Sequence, residues 1–168
     1  MISLLTWGHV LISLAGIAAG FLVVFEFLVR RSSPRMIAVF LATTTATSAT
    51  GYLFPATRFL PSHAVGIVSL LVLAATIYAY YRRHLAGGWR KVFIIGSVVA
   101  LYLNVFVAVV QSFMKTPALK ALAPTQSEAP FKTTQLVLLV VFIVLGIASV
   151  LRNRDVATNS DHPLPALS

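Results

Sequence analysis

Charged residues and cysteine are what this sequence of 168 residues has least of. Only 10% of its residues are charged and 58% are hydrophobic, whereas a soluble domain carries about 25% charged residues. So little polar surface cannot cover a globule in water, which excludes an ordinary soluble enzyme and a disordered chain and favours a protein embedded in lipid. The lack of cysteine excludes disulfides, a thiolate nucleophile and cysteine-ligated clusters.

The familiar motifs of soluble catalysis are also missing. The sequence contains no Walker loop, no dinucleotide-binding glycine fingerprint, no HExxH and no GxSxG. Hydrolase chemistry and nucleotide chemistry are therefore not indicated, and a membrane oxidoreductase is the one enzyme class that stays open.

What the sequence does contain is five long apolar runs, each able to cross a hydrocarbon core of about 30 Å as a helix. Open strands leave their backbone unsatisfied in lipid, so we predict an all-α integral membrane bundle of five transmembrane helices. The runs cover residues 4–29, 36–54, 63–81, 92–113 and 133–151. Residues 114–132 form an outer loop with a short interfacial helix, for which Thr116 is the N-cap and Pro117 the first residue. We expect residues 153–168 to be a disordered cytoplasmic tail.

Basic residues sort the connections onto two sides. Nine of the 13 lysines and arginines fall in the loop between the first and second runs, the loop between the third and fourth runs, and the C-terminal tail. The other side holds Arg58, Lys115, Lys120 and Lys132. The positive-inside rule then places the N-terminus outside and the C-terminus in the cytoplasm. Because orientation accounts for most of the net charge of +9, no nucleic-acid partner is predicted. The expected partners are the bilayer, a second copy of the chain or another membrane protein.

Polar residues inside the spans predict which helix faces meet. On the first helix, Gly16 and Gly20 form a GxxxG pattern that permits close helix packing. Most of the other polar residues fall in the outer half, whereas the inner half is expected to be much more apolar, apart from Glu26. We therefore predict an outward-facing polar cavity, under a lid formed by the outer loop with Gln126 and Glu128. Its lining is His9, Ser13, Thr47, Thr50, His63, Asn104, Gln111 and Gln135.

Two features admit more than one chemistry. His9 and His63 are both near the outer surface, where two imidazoles could ligate a b-type haem or another metal ion, or simply form hydrogen bonds. Glu26 is the only carboxylate within a span, which makes it a candidate proton or cation site. Alternatively, it pairs with Arg30 four residues later and reaches water at the inner interface.

Five short stretches resemble a group of small bacterial inner-membrane proteins with several transmembrane helices. They are residues 50–55, 61–66, 85–90, 101–106 and 122–128. The resemblance implies a multi-pass protein of the bacterial inner membrane, and it carries no activity or cofactor. The sequence thus predicts a ligand-binding, accessory or assembly protein. The alternatives are a haem or quinone redox protein using His9 and His63, and a small oligomeric transporter or channel with Glu26 as the coupling acid.

Overall fold

A computed structural model describes residues 2–54 and 61–153 of the chain. Within these residues the fold is all-helical, and five helices are long and apolar enough to cross a membrane, which confirms that part of the prediction. The elements are α1 (Ile2–Leu28), α2 (Pro34–Thr50), α3 (Pro61–Ile77), α4 (Trp89–Lys115), α5 (Pro117–Leu122) and α6 (Ala129–Arg152). A 3-10 turn, Gly51–Leu53, extends α2, and a π-helical turn, Tyr78–Arg82, extends α3. Arg58 and residues 154–168 lie outside the described residues.

Local sequence signals explain where two of the helices begin. Ser33 is the N-cap of α2, its hydroxyl accepts the backbone N–H of Met36 at 3.5 Å, and Pro34 follows it. Thr116 is the N-cap of α5, as expected, and Pro117 follows it. The Thr116 side chain makes no capping hydrogen bond, however. Here the fixed φ of proline, which suits the first helical position, is the remaining local signal.

Four of the long helices form a ring, with α1 beside α2, α2 beside α3, α3 beside α4, and α4 beside α1. Helix α6 packs against α4 and α1. Because α1 packs against α2, α4 and α6 while α3 packs against α2 and α4, α1 and α3 occupy opposite corners of the ring. Helix α4 is the central element, and its buried residues Phe93, Ile94, Val98 and Leu101 contribute to the core.

Glycine residues, which have no side chain, allow the helices to approach closely. A Cβ atom on Gly20 would lie 2.6 Å from Leu101 Cδ1 on α4 and 2.8 Å from Phe40 Cε2 on α2. The glycine pattern of α1 therefore does permit close packing, as the sequence predicts. Gly96 of α4 plays the same part against Thr76 of α3, whose hydroxyl occupies the space that a side chain would need.

Successive helices run in opposite directions, so one end of the bundle, the basic end, collects most of the positive charge. Its described basic residues are Arg30, Arg31, Arg35, Arg82, Arg83, Arg90, Lys91 and Arg152. Asn153 ties two helices together there, because its Nδ2 donates to the carbonyl oxygens of Phe27 at 2.9 Å and Ser149 at 2.8 Å. Asn153 is thus held at the ends of α1 and α6, although it falls in the predicted disordered tail.

Three small hydroxyl side chains qualify the expectation that the inner half is much more apolar than the outer half. Thr76, Ser97 and Ser149 are fully buried in the half of the bundle nearer the basic end. Thr76 satisfies its hydroxyl by donating to Val72 O of its own helix at 2.7 Å. A small hydroxyl can therefore be buried in a helix interior without a functional partner, and polarity alone does not distinguish the two halves.

Candidate functional site

At the end of the bundle opposite the basic end, a polar contact joins the imidazole of His9 on α1 to Thr50 on α2. His9 Nδ1 lies 2.9 Å from Thr50 Oγ1. Thr50 Oγ1 also lies 2.7 Å from Ala46 O. Because the hydroxyl has a single proton, it donates either to Ala46 O, with His9 Nδ1–H donating to Thr50, or to His9 Nδ1 itself. The Phe54 ring meets the imidazole edge to face at 5.2 Å.

Deeper in the bundle, α1 meets α4 through a second polar pair. Ser13 Oγ donates to Asn104 Oδ1 at 3.1 Å. One turn further along α1, Gly16 faces both α2 and α4. The position of its absent Cβ is 3.2 Å from the hydroxyl oxygens of Thr43 and Thr44 and 3.3 Å from Asn104 Nδ2. A side chain at Gly16 would thus intrude on a cluster of hydrogen-bonding atoms from two other helices.

Together these groups form a polar track between α1, α2 and α4. We define the polar track as His9, Ser13, Thr43, Thr44, Thr47, Thr50 and Asn104. From His9 to Gly16 it runs about 10 Å along α1 at the rise of an α-helix. The structure therefore brings five of the eight predicted lining residues into one region, His9, Ser13, Thr47, Thr50 and Asn104.

The track contains hydrogen-bonding atoms that have no partner within the chain. Thr44 Oγ1, Thr47 Oγ1 and Asn104 Nδ2 are all buried and unbonded, and these side chains are 1%, 9% and 8% exposed. An unsatisfied buried polar group costs about 1–3 kcal/mol, and hydrocarbon offers no water to compensate it. Thr45 Oγ1, Ser97 Oγ, Gln135 Oε1 and Ser149 Oγ, which lie outside the track, are buried and unbonded as well. What marks the track is that three such atoms, from α2 and α4, belong to one group of polar side chains facing α1.

His63 is placed differently from His9. Its ring stacks on Tyr52 at 5.7 Å, and the Tyr52 hydroxyl donates to His63 O at 2.8 Å. His9 and His63 thus contact different aromatic residues of the segment that follows α2. The helices that carry the two histidines, α1 and α3, lie at opposite corners of the ring. Among the described residues there is also no group of three or more His, Asp or Glu side chains that could hold a metal ion. The geometry adds no support to a bis-histidine haem site.

The two glutamines do not join the track through any contact that the structure shows. Gln135 Nε2 donates to Phe106 O at 3.4 Å across the α4–α6 interface, while its Oε1 is buried and unbonded. Gln111 is half-buried near the end of α4. Helical projection places both in the outer half, but it cannot say which neighbouring helix each one faces.

The outer loop folds onto the end of α4. Gln126 adopts a left-handed backbone conformation, with φ of 60°, and its Nε2 donates to Val110 O at 3.2 Å. The rings of Phe113 and Phe131 meet edge to face at 5.3 Å. The contacts of Gln126 and Phe131 are thus with α4, and the lid over the predicted polar cavity stays a prediction.

Glu128 organises the turn that precedes α6. Its carboxylate accepts the hydroxyl of Thr125 at 2.8 Å and the backbone N–H groups of Thr125 at 3.2 Å and Ser127 at 3.1 Å. Desolvation acts to raise the pKa of Glu128, but these hydrogen bonds to the charged form outweigh it and lower the pKa below its ordinary value.

Glu26 lies in the last turn of α1, at the basic end. Its Oε2 accepts the backbone N–H of Ser33 at 2.8 Å, immediately before α2. A carboxylate is stabilised there by the unpaired N–H groups at the start of a helix. The contact supports a structural part for Glu26, remote from the polar track.

Two members of the track, Thr43 and Thr44, were not among the predicted site residues. They lie on the same broad hydroxyl-bearing arc of α2 as Thr47, which was the available signal. Comparison of the chain with family models, with curated proteins and with solved structures finds no match. The functional argument therefore rests on the residues themselves.

Proposed function

We propose that the chain is a membrane protein that binds a small uncharged hydrogen-bonding molecule along the polar track. The observation that carries this proposal is the buried set of unpartnered atoms, Thr44 Oγ1, Thr47 Oγ1 and Asn104 Nδ2. A ligand with a carbonyl, hydroxyl or amide group would supply their missing hydrogen bonds. The role is binding, or assisting another membrane protein that uses the same molecule, and no catalytic step is assigned.

The chemistry of the track favours a neutral ligand over an ion. Its members are hydroxyls, one amide and one imidazole, and none is a carboxylate, lysine or arginine. An unpaired charge buried among such groups would be costly in a low-dielectric interior. The second ring nitrogen of His9, Nε2, adds a hydrogen-bonding atom near the end of the track, because the contact with Thr50 involves only Nδ1.

The test compares the full-length protein with Ser13→Ala/Asn104→Leu, which removes both partners of one hydrogen bond. Both proteins are extracted from bacterial membranes in mild detergent and examined by native mass spectrometry and thermal unfolding. We expect the wild type to retain a small neutral adduct that the double variant lacks. Removing the adduct by exhaustive dialysis should lower the Tm of the wild type but not that of the double variant, because a bound ligand stabilises the folded state.

Thr134→Val is the matched control, since the exposed Thr134 hydroxyl bonds only to Pro130 O of its own helix. This variant should retain the adduct, and dialysis should lower its Tm as it does for the wild type. Spectra without an adduct in any of the proteins would mean that the track holds water or nothing, and would overturn the proposal. A double variant with unchanged or higher Tm would overturn it too, because replacing both partners of an empty site by apolar groups is nearly neutral or stabilising.

We further propose that the protein lies in a bacterial inner membrane with the N-terminus outside and the C-terminus in the cytoplasm. The resemblance noted in the sequence supports the membrane, and the charge at the basic end supports the orientation. In this orientation the His9 end of the polar track faces outward.

A further inference from the structure

An open groove of about 420 Å³ lies between α4 and α6, and none of its lining residues belongs to the polar track. Helix α4 lines it with Ile95, Val99 and Tyr102, and α6 with Ile143, Gly146 and Ile147. No charged side chain lines it. Because α6 packs on the outside of the α1–α4 ring, this groove faces the hydrocarbon.

The groove has the dimensions of one lipid chain. Gly146 lines the groove without a side chain, and a Cβ there would make an ordinary van der Waals contact with Val98 Cγ1 at 3.6 Å. The lining of α6 extends from Leu139 to Leu151, which is about 18 Å at the helical rise. One leaflet of hydrocarbon is about 15 Å deep. A single acyl chain from the nearer leaflet would therefore fill the groove along its length.

Positive charge lies where the groove reaches the basic end. Lys91 is one helical turn before Ile95, and Arg152 directly follows Leu151. Both side chains are exposed. The one described carboxylate at this end, that of Glu26, is bonded to the backbone of Ser33. The groove thus joins an apolar slot to two cationic side chains at the level of the headgroups.

We propose that the α4–α6 groove is a binding site for an anionic phospholipid. The acyl chain occupies the slot over Gly146, and the phosphate contacts Lys91 and Arg152. Each basic side chain near a membrane surface contributes about a five-fold gain in affinity for anionic lipid. The charge at this end distinguishes a phospholipid from a helix of a second copy, which needs only an apolar surface.

The test measures lipid binding to the full-length delipidated protein by native mass spectrometry. Phosphatidylglycerol and phosphatidylcholine with identical acyl chains are titrated separately. We expect the wild type to prefer phosphatidylglycerol by about ten-fold or more. Lys91→Gln/Arg152→Gln should lose that preference while binding phosphatidylcholine as before. Gly146→Leu, which fills the slot, should weaken binding of both lipids.

Lys115→Gln/Lys132→Gln is the matched control, because it removes two cations from the opposite end of the bundle. It should keep the wild-type preference. Equal binding of the two lipids by the wild type would overturn the proposal, as would an equal loss in the control. A dimer in the wild type that Gly146→Leu abolishes would assign the groove to a second copy instead. The charge variants alter only exposed side chains, so the test does not depend on Gly146→Leu folding, and neither outcome bears on the polar track.

Discussion

Two glycines of α1 differ only in what lies opposite them. A Cβ on Gly20 would enter the space of Phe40 and Leu101, whereas one on Gly8 would find nothing within 4 Å. Gly20→Ala should therefore lower the free energy of unfolding by about 1–3 kcal/mol, the usual cost of overpacking. Gly8→Ala should leave it unchanged or raise it by up to about 1 kcal/mol, because alanine is the better helix former. Denaturant titration in detergent measures both.

The comparison between the two variants separates packing from helix propensity. A Gly20→Ala protein as stable as the wild type would show that α1 does not approach α2 and α4 as closely as the structure has it. Equal losses in the two variants would instead mean that any added methyl group on α1 is harmful.

The carboxylate of Glu128 should respond to pH in a defined direction. Its pKa is lowered by hydrogen bonds from Thr125 and Ser127, below an ordinary value of about 4.3. The stabilisation of the turn is therefore fully present above that value and is lost as the pH falls through the lower, folded pKa. In NMR spectra, the amide signals of Thr125 and Ser127 should titrate with a midpoint below the ordinary pKa of a glutamate side chain.

Glu128→Gln should abolish this titration, and Glu26→Gln should not affect it. A midpoint at or above the ordinary value would contradict the hydrogen-bonded geometry of the turn.

At the level of the elements, Asn153 connects the ends of α1 and α6 with one side-chain amide. Its hydrogen bonds to Phe27 O and Ser149 O should each contribute about 0.5–1.5 kcal/mol. Asn153→Ala should therefore increase deuterium uptake in residues 25–31 and in the last turn of α6. Asn153→Asp has the same shape but lacks the donor, so it should behave like Asn153→Ala. Wild-type protection in either variant would show that packing alone holds these ends together.

The turn between α1 and α2 depends on Glu26 in a similar way. Glu26→Gln replaces a charged acceptor of the Ser33 N–H by a neutral one, and we expect a loss of about 1 kcal/mol in the free energy of unfolding. The adduct bound to the polar track should be unaffected, because Glu26 lies at the basic end. Loss of that adduct in Glu26→Gln would instead favour the coupled proton or cation site that the sequence left open.

The sequence predicts the five long helices well, because hydropathy over about 20 residues is a property of a single segment. It predicts Ser13, Thr47 and Asn104 as inward-facing for a related reason, since polar side chains avoid lipid. The position of Gln135 and the contacts of Asn153 depend instead on which helices are neighbours. The α4–α6 groove cannot be recognised in the sequence, because its valines and isoleucines resemble those that face lipid elsewhere.

For the whole molecule, the distribution of charge makes a prediction about orientation. Helices of alternating direction bring eight described basic residues to one end, and Lys115, Lys120 and Lys132 lie at the other. Since cytoplasmic loops are enriched in lysine and arginine, a green fluorescent protein fused to the C-terminus should fluoresce, and alkaline phosphatase fused there should be inactive. Phosphatase inserted between α5 and α6 should be active.

The same fusions test whether charge sets this orientation. Replacing Arg30, Arg31 and Arg35 by glutamine removes the basic residues nearest the first two spans, and should produce a mixed population in which some C-terminal phosphatase is active. Lys115→Gln/Lys120→Gln, at the opposite end, should strengthen the original orientation. Both sets of substitutions alter only residues at the ends of the bundle, so the apolar parts of the helices are unchanged. An active C-terminal phosphatase in the unaltered protein would reverse the proposed topology, and the His9 end of the polar track would then open toward the cytoplasm.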